Sequence, residues 1–399
     1  MRTVAALLLL CLPATAEFRA GVARANITPE LPVWLTGYAL RNHTANHVTL
    51  DLWAKALALD DGHRGRIVIV TTDLIGLPRE ISDEVAARCS KQFGLKRSEL
   101  LMNSSHTHSG PAVWPNLRVM FDMSPEDEKR TRDYARKLTG QLVQIAGDAL
   151  HDLSPARISY GQATADFSIN RRIARLRELN PGKDFPAPVD HGVPVLRVTG
   201  RDGKLRAVLF GYACHNTTLT GEFYEVSGDY AGFAQAALER AHPGAQAMFM
   251  LLCGGDQNPN PRSRMDLPEK HGNELAASVE RVLASAMPAL EAPVRTAFEY
   301  TTLPFAPHTR ATFEEEAKST DIFKVRRAKL MLDDYDHNRP IRSVHYPVQA
   351  VRIGRRLVIL ALGGEVVLDY SIRAKREYPN LDLVVAGYSN DVMSYIPSA

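Results

Sequence analysis

The feature that most constrains this fold is a pattern of segments that occurs three times. In each copy, two apolar segments flank a short turn, a stretch of helical spacing follows, and a further apolar segment closes the unit. The first copy reads as strand 51–59, the turn beginning Asp60-Asp61-Gly62, strand 66–72, helix 79–93 and strand 100–104. The second places strands 195–199 and 205–213 around Gly200-Arg201-Asp202-Gly203, then a helix over 229–241 and a strand over 247–252. The third joins strands 348–353 and 357–362 through Gly354, with a helix over 366–377 and a strand over 383–386. The last three elements of each unit predict a βαβ crossover with parallel strands. The expected fold class is therefore α/β: one large domain of mixed β-sheets with parallel βαβ units, flanked by helices in a layered sandwich.

Such sheets bind ligands at the carboxyl ends of their strands. Asp73 and His106 stand there in the first unit, His215 and Asp256 in the second, and Glu365 and Asn390 in the third. Three separate segments thus deliver polar, metal-competent groups to equivalent places. The stretch His106-Thr107-His108-Ser109-Gly110-Pro111 follows the apolar Leu100-Leu101-Met102. In a strand, residues i and i+2 face the same way, so both imidazoles are expected to point into one cavity. That suits two metal ligands, or one ligand and one acid/base; a loop held by two histidine hydrogen bonds is the plainer alternative. Glu365 follows Gly363-Gly364 and reads either as a ligand or as a cap on the next helix. Gly254-Gly255-Asp256-Gln257-Asn258-Pro259-Asn260-Pro261 reads as a substrate-binding loop or a surface turn.

Compartment and partners follow from the ends and the charges. Met1-Arg2-Thr3, an apolar run from Val4 to Leu12, and Ala14-Thr15-Ala16 form an export signal over 1–16. Localisation is thus expected to be periplasmic, secreted or at the cell surface. The run is too short to span a membrane, no later segment is long enough, and Leu10 before Cys11 argues against a lipid anchor. Three cysteines remain beyond it, Cys89, Cys214 and Cys253, and the last two are read as a bridged or contacting pair or as buried thiols. Net charge is +3 and dispersed, which excludes a dedicated nucleic-acid footprint. The basic stretch 324–329 has helical spacing and reads as a solvated face. Ser124 caps a helix whose face is Tyr134, Leu138, Leu142, Ile145 and Ala149, and further helices are expected over 267–287 and 312–332.

Taken together, the motifs resemble the catalytic domain of the neutral (non-lysosomal) ceramidases. The similarity runs from about Arg19 to the end of the chain and is most specific at Ser105 to Pro111, Ser-His-Thr-His-Ser-Gly-Pro. Asn170-Arg171 is similar to the family's Asn-Arg pair, Ala213-Cys214-His215 to its Ala-Val-His segment, and Ser227-Gly228-Asp229 to its Ser-Ser-Asp turn. Gly364-Glu365 resembles Pro-Gly-Glu, and Gly387-Tyr388-Ser389-Asn390 with Tyr395 resembles Gly-x-x-Asn-x-x-x-x-Tyr.

The resemblance implies a zinc-dependent amidase that cuts the N-acyl bond of a sphingoid lipid at a membrane surface. It implies one zinc ion per chain, with His106, His215, Glu365 and Tyr395 as ligands, His108 beside the attacking water and Arg171 facing the substrate. His108 or Asp256 would accept the water's proton; Arg171 or a backbone N–H near Asn258 would stabilise the oxyanion. One departure matters. Where the family carries Gly-Asp-Val-Ser-Pro-Asn, this chain reads Gly255-Asp256-Gln257-Asn258-Pro259-Asn260, and an amide is no acyl-accepting nucleophile. That keeps open a metallohydrolase acting on another amide or ester, or a non-catalytic homologue that retains the metal. Residues 17–399 are expected to be one catalytic domain without the family's C-terminal β-sandwich.

Overall fold

All three units form in the computed structural model, which describes residues 17–183 and 187–398. The signal read over 1–16 lies outside the described residues. In the first unit Trp53–Asp60 pairs antiparallel with Arg66–Thr72, and Arg79–Phe93 carries the chain to Leu100–Ser104, parallel to Arg66–Thr72. In the second, Gly192–Gly200 pairs antiparallel with Leu205–Tyr212, and Asp229–Ala241 leads to Gln246–Leu251, again parallel. In the third, Ser343–Ile353 and Leu357–Leu362 form the antiparallel pair, and Leu368–Glu377 leads to the parallel strand Asp382–Ala386.

The first two units share one eight-stranded sheet, joined through Ser154–Thr164 and Arg19–Asn26. The third, extended by Val294–Pro304, makes a four-stranded sheet. Alternation along the strands explains the layers. Leu57, Leu59, Ile67, Ile69, Met248 and Met250 face a common core with Ile359 and Val384 of the smaller sheet. Their neighbours Ala56, Val68 and Val70 meet Val85, Leu138 and Leu142 of the helices Arg79–Phe93 and Pro125–His151. Phe210 and Phe249 meet Tyr230 and Leu275 of two further helices. These strands are near-continuous apolar runs because both their faces are buried.

The carboxyl ends of the closing strands meet at one side chain. Buried Asn103 donates from Nδ2 to the carbonyls of Leu251 (3.2 Å) and Gly387 (2.8 Å), and its Oδ1 accepts the Leu251 N–H (2.8 Å). The amide thus completes a hydrogen-bonding edge that backbone alone leaves open.

Two expectations change. The helix expected over 312–332 is two helices, Arg310–Glu316 and Ile322–Asp336, because the Asp321 carboxylate caps the second, accepting from Phe323 N at 2.9 Å. The basic stretch is not wholly a solvated face: Lys324 and Arg327 are exposed, but Arg326 turns inward to the Val119 and Met120 carbonyls, both at 3.4 Å. Cys89, Cys214 and Cys253 are buried free thiols. Among the described residues, no helix is long and apolar enough to cross a membrane.

Candidate metal centre

His106 lies beyond the strand Leu100–Ser104, with a left-handed backbone at φ 60°. The expected i, i+2 alternation is therefore not what pairs the two imidazoles. The left-handed turn swings the His106 ring so that it sits 4.9 Å, centre to centre, from that of His108. The turn is pinned by His106 N donating to Leu74 O (2.8 Å) and by Thr107 Oγ1 donating to Ser227 O (2.8 Å). His215 follows the strand Leu205–Tyr212, and its N–H donates to Gln257 O at 3.0 Å. Glu365 follows Gly364, whose φ of 73° favours glycine, and pairs in parallel register with Tyr395.

The rings of His106 and His215 are oriented from behind. Each meets a backbone carbonyl through Nδ1, Ile75 O at 2.6 Å and Gly254 O at 2.7 Å. A carbonyl only accepts, so both Nδ1 atoms carry the proton and both Nε2 atoms present a lone pair. Those Nε2 atoms converge on one oxygen of Glu365, Oε2, at 3.3 Å and 3.1 Å. Lone pairs meeting at such distances repel unless a cation or a proton lies among them. The ligating nitrogens of His106, His108 and His215 also lie within 4.8 Å of one another. Nitrogen and oxygen donors of this kind, fixed by carbonyls behind, fit a borderline-soft divalent ion such as zinc.

Electrostatics agree. Burial, helped by the Arg171 guanidinium, lowers the His215 pKa to about 4. Burial also holds His108 well below the usual imidazole range, so both rings are neutral near pH 7. Both nitrogens of His108, Arg171 Nε and Tyr388 Oη are buried and make no hydrogen bond among the described residues. Unsatisfied polar atoms are rare in native interiors, and their clustering marks a place where another group binds.

Arg171 opens the helix Arg171–Leu179, capped by Asn170 Oδ1 on Arg172 N (3.1 Å) and Ile173 N (3.2 Å). Its guanidinium donates to Asn258 Oδ1 (3.2 Å), Gly255 O (2.8 Å) and Tyr395 Oη (2.8 Å), and lies 3.3 Å from His215 Nε2. Asn258 Oδ1 also accepts from Thr217 Oγ1 at 3.4 Å. Asp256 is otherwise engaged. Its two oxygens accept from Asn170 Nδ2 (3.1 Å) and from Leu368 N (3.0 Å), at the start of the helix Leu368–Glu377. Asp73 likewise holds Trp53 N and Gln235 Nε2, both at 2.9 Å, and Asn390 Nδ2 holds Gln349 Oε1 at 2.8 Å. Of the six strand-end residues, His106, His215 and Glu365 converge, and the other three fasten the turns around them.

Three neighbours escaped the sequence reading. Buried Arg41 donates to His108 O (2.6 Å), Thr36 O (2.9 Å) and Phe223 O (2.8 Å), clamping the loop behind His108. Gly37, at φ 91°, lies so close that an added Cβ would sit 2.4 Å from His108 Cγ. Tyr388 packs its ring 4.6 Å from that of His106. Nothing local in the sequence links positions 37 and 41 to 108. Tyr388 lay within a quoted motif but at one of its unspecified positions.

A family model described as neutral/alkaline non-lysosomal ceramidase, N-terminal, matches residues 18–279. The chain belongs to this family. Neutral ceramidase of Pseudomonas aeruginosa is 26% identical over 266 residues, which cover 64% of this chain and 39% of that protein. Neutral ceramidase of Mycobacterium tuberculosis is 27% identical over 218 residues, 50% of this chain and 33% of the relative. The chain thus aligns with well under half the length of these ceramidases. Its fold matches the crystal structure of the Pseudomonas aeruginosa neutral ceramidase with a TM-score of 0.76 at 22% identity, covering 96% of this chain and 69% of that one. A structure described as ceramidase complexed with C2 matches at 0.77 and 20% identity, over 96% of this chain and 70% of the other. The layered α/β architecture read from the three units is therefore the ceramidase fold.

Proposed function

We propose that this chain hydrolyses the N-acyl amide bond of a ceramide-like or related N-acyl lipid, using one zinc ion held by His106, His215, Glu365 and Tyr395. The observation that carries this reading is the convergence of two lone-pair-bearing Nε2 atoms on Glu365 Oε2, with Tyr395 as the ladder partner of Glu365. Zinc at such a site lowers the pKa of water toward neutrality and polarises a carbonyl.

The chain's own groups supply the rest. His108 is buried, neutral and without a hydrogen-bond partner among the described residues, so it can take the proton of the attacking water. As the C–N bond breaks, the same ring returns that proton to the leaving nitrogen. Asp256 is less suited to the task, with both oxygens already accepting hydrogen bonds. Arg171 presents a guanidinium to the carbonyl oxygen as negative charge grows on it. Asn258 offers no hydroxyl, so water rather than a side chain at that position receives the acyl group. Residues 17–399 act as one catalytic unit in this proposal, exported through the signal at 1–16, with the substrate drawn from a lipid surface.

The test is zinc analysis of the purified protein together with N-acyl hydrolysis before and after chelation. Stoichiometric zinc, loss of activity on chelation and recovery on zinc addition are expected. His106→Ala and His215→Ala should each lose both zinc and hydrolysis; an active, metal-free double variant would overturn the scheme. Zinc without hydrolysis of any amide or ester would leave a metal-retaining homologue that is not an enzyme. Asn258 favours one second reading, a head group other than that of ceramide, because this side chain is held by Arg171 at the site. In that case Asn258→Ser should raise hydrolysis of ceramide relative to other N-acyl substrates in a panel.

A further inference from the structure

We propose that Tyr388 is a positioning residue of the metal centre, whose hydroxyl donates a hydrogen bond that steadies the Glu365 carboxylate once the site is loaded. The inference rests on the zinc reading above and adds to it a residue that the ligand set does not contain.

Three observations converge on Tyr388. Its backbone stitches together the two turns that carry ligands. Its N–H donates to Gly364 O at 2.8 Å, immediately before Glu365, and its carbonyl accepts the Ser104 N–H at 3.2 Å, two residues before His106. Its ring packs against both imidazole ligands, with centroids 4.6 Å from His106 and 6.0 Å from His215. Its hydroxyl is buried and makes no hydrogen bond among the described residues.

The last observation is the costly one. A buried hydroxyl without a partner destabilises a fold, and phenylalanine would fill the same space without that penalty. The residue also adopts a left-handed backbone, φ 53°, which a bulky side chain rarely takes. Strain and an unsatisfied donor at one residue, against two metal ligands, are explained together if the hydroxyl serves a group that turns toward it when the site fills. The two imidazoles it packs against both turn Nε2 toward Glu365 Oε2, so that carboxylate is the acceptor at the centre of the cluster, and a phenol hydroxyl can donate to it.

The experiment is Tyr388→Phe in the full chain, read by chelator competition for zinc, by thermal melting of the metal-free protein and by kinetics. Zinc affinity should fall about 10–100-fold, the effect typical of removing a hydrogen-bond partner of a metal ligand. The melting temperature of the metal-free variant should hold or rise, because the lost hydroxyl satisfied nothing there. kcat should fall while KM holds. Unchanged zinc affinity would overturn the proposal, as would a lower metal-free melting temperature or a failure to fold, either of which would make the hydroxyl a structural one. A parent protein that takes up no zinc would overturn the metal reading and this one with it. A zinc-binding parent matched by an equal Tyr388→Phe would overturn this one alone.

Discussion

His106 and His108 differ by two positions and are held by different means. His106 is oriented through Nδ1 by a carbonyl, whereas the His108 ring makes no hydrogen bond among the described residues and is oriented by packing. Gly37 supplies much of that packing. Gly37→Ala should push the His108 ring aside while leaving the proposed zinc ligands in place. Zinc content should remain stoichiometric while kcat falls about 10–100-fold, the scale expected when a catalytic group shifts by ~1 Å. The left-handed φ of 91° adds a stability loss of roughly 1–2 kcal/mol, visible by denaturant titration. Residue types and spacing made the histidines, Glu365 and Arg171 legible in the sequence, Arg171 through the family resemblance. The backbone that aims them was not, because φ at His106 depends on Leu74 and Ile75, some thirty positions earlier.

The units themselves were legible as elements, because apolar runs, turn glycines and helical spacing are local signals. What joins one unit to another is less so. The turn after Asp382–Ala386 sets Asp391 at the start of the helix Arg79–Phe93 of the first unit, with Val392 N bonded to Leu77 O at 3.1 Å. Burial, with nearby Glu80, raises the Asp391 pKa from 3.8 to about 7. The native state therefore binds a proton here that the unfolded chain has released. The stabilising contribution is fully present below pH 3.8 and is lost as pH rises through about 7. Asp391→Asn keeps the acceptor oxygen and removes the titration. The variant should gain stability over the parent, by a few kcal/mol in order of magnitude at pH 8 and by almost nothing near pH 4. Chemical denaturation at the two pH values checks this; equal differences at both would refute it.

For the whole molecule, the decisive contact is the amide of Asn103. It ties the closing strands of three units at the end where the candidate ligands emerge. Asn103→Ala would strand the Leu251 N–H together with the Leu251 and Gly387 carbonyls, at about 1–3 kcal/mol for each buried group left unpaired. An unfolding free energy lowered by several kcal/mol, read by denaturant titration, is expected, together with weaker zinc binding as the turns that carry the proposed ligands drift apart. An unchanged zinc affinity would mean that each turn holds its own geometry. No local pattern announced this closure, because it is made by one side chain reaching residues more than a hundred positions away.

The pairing of Glu365 with Tyr395 carries one more consequence. A ribosome releases this chain from its amino end, and Tyr395 is the last of the four proposed ligands to emerge. A nascent chain that has passed Glu365 but not Tyr395 therefore carries three of the proposed ligands without the fourth. On the proposed ligand set, the four-ligand site is complete only once synthesis has passed Tyr395.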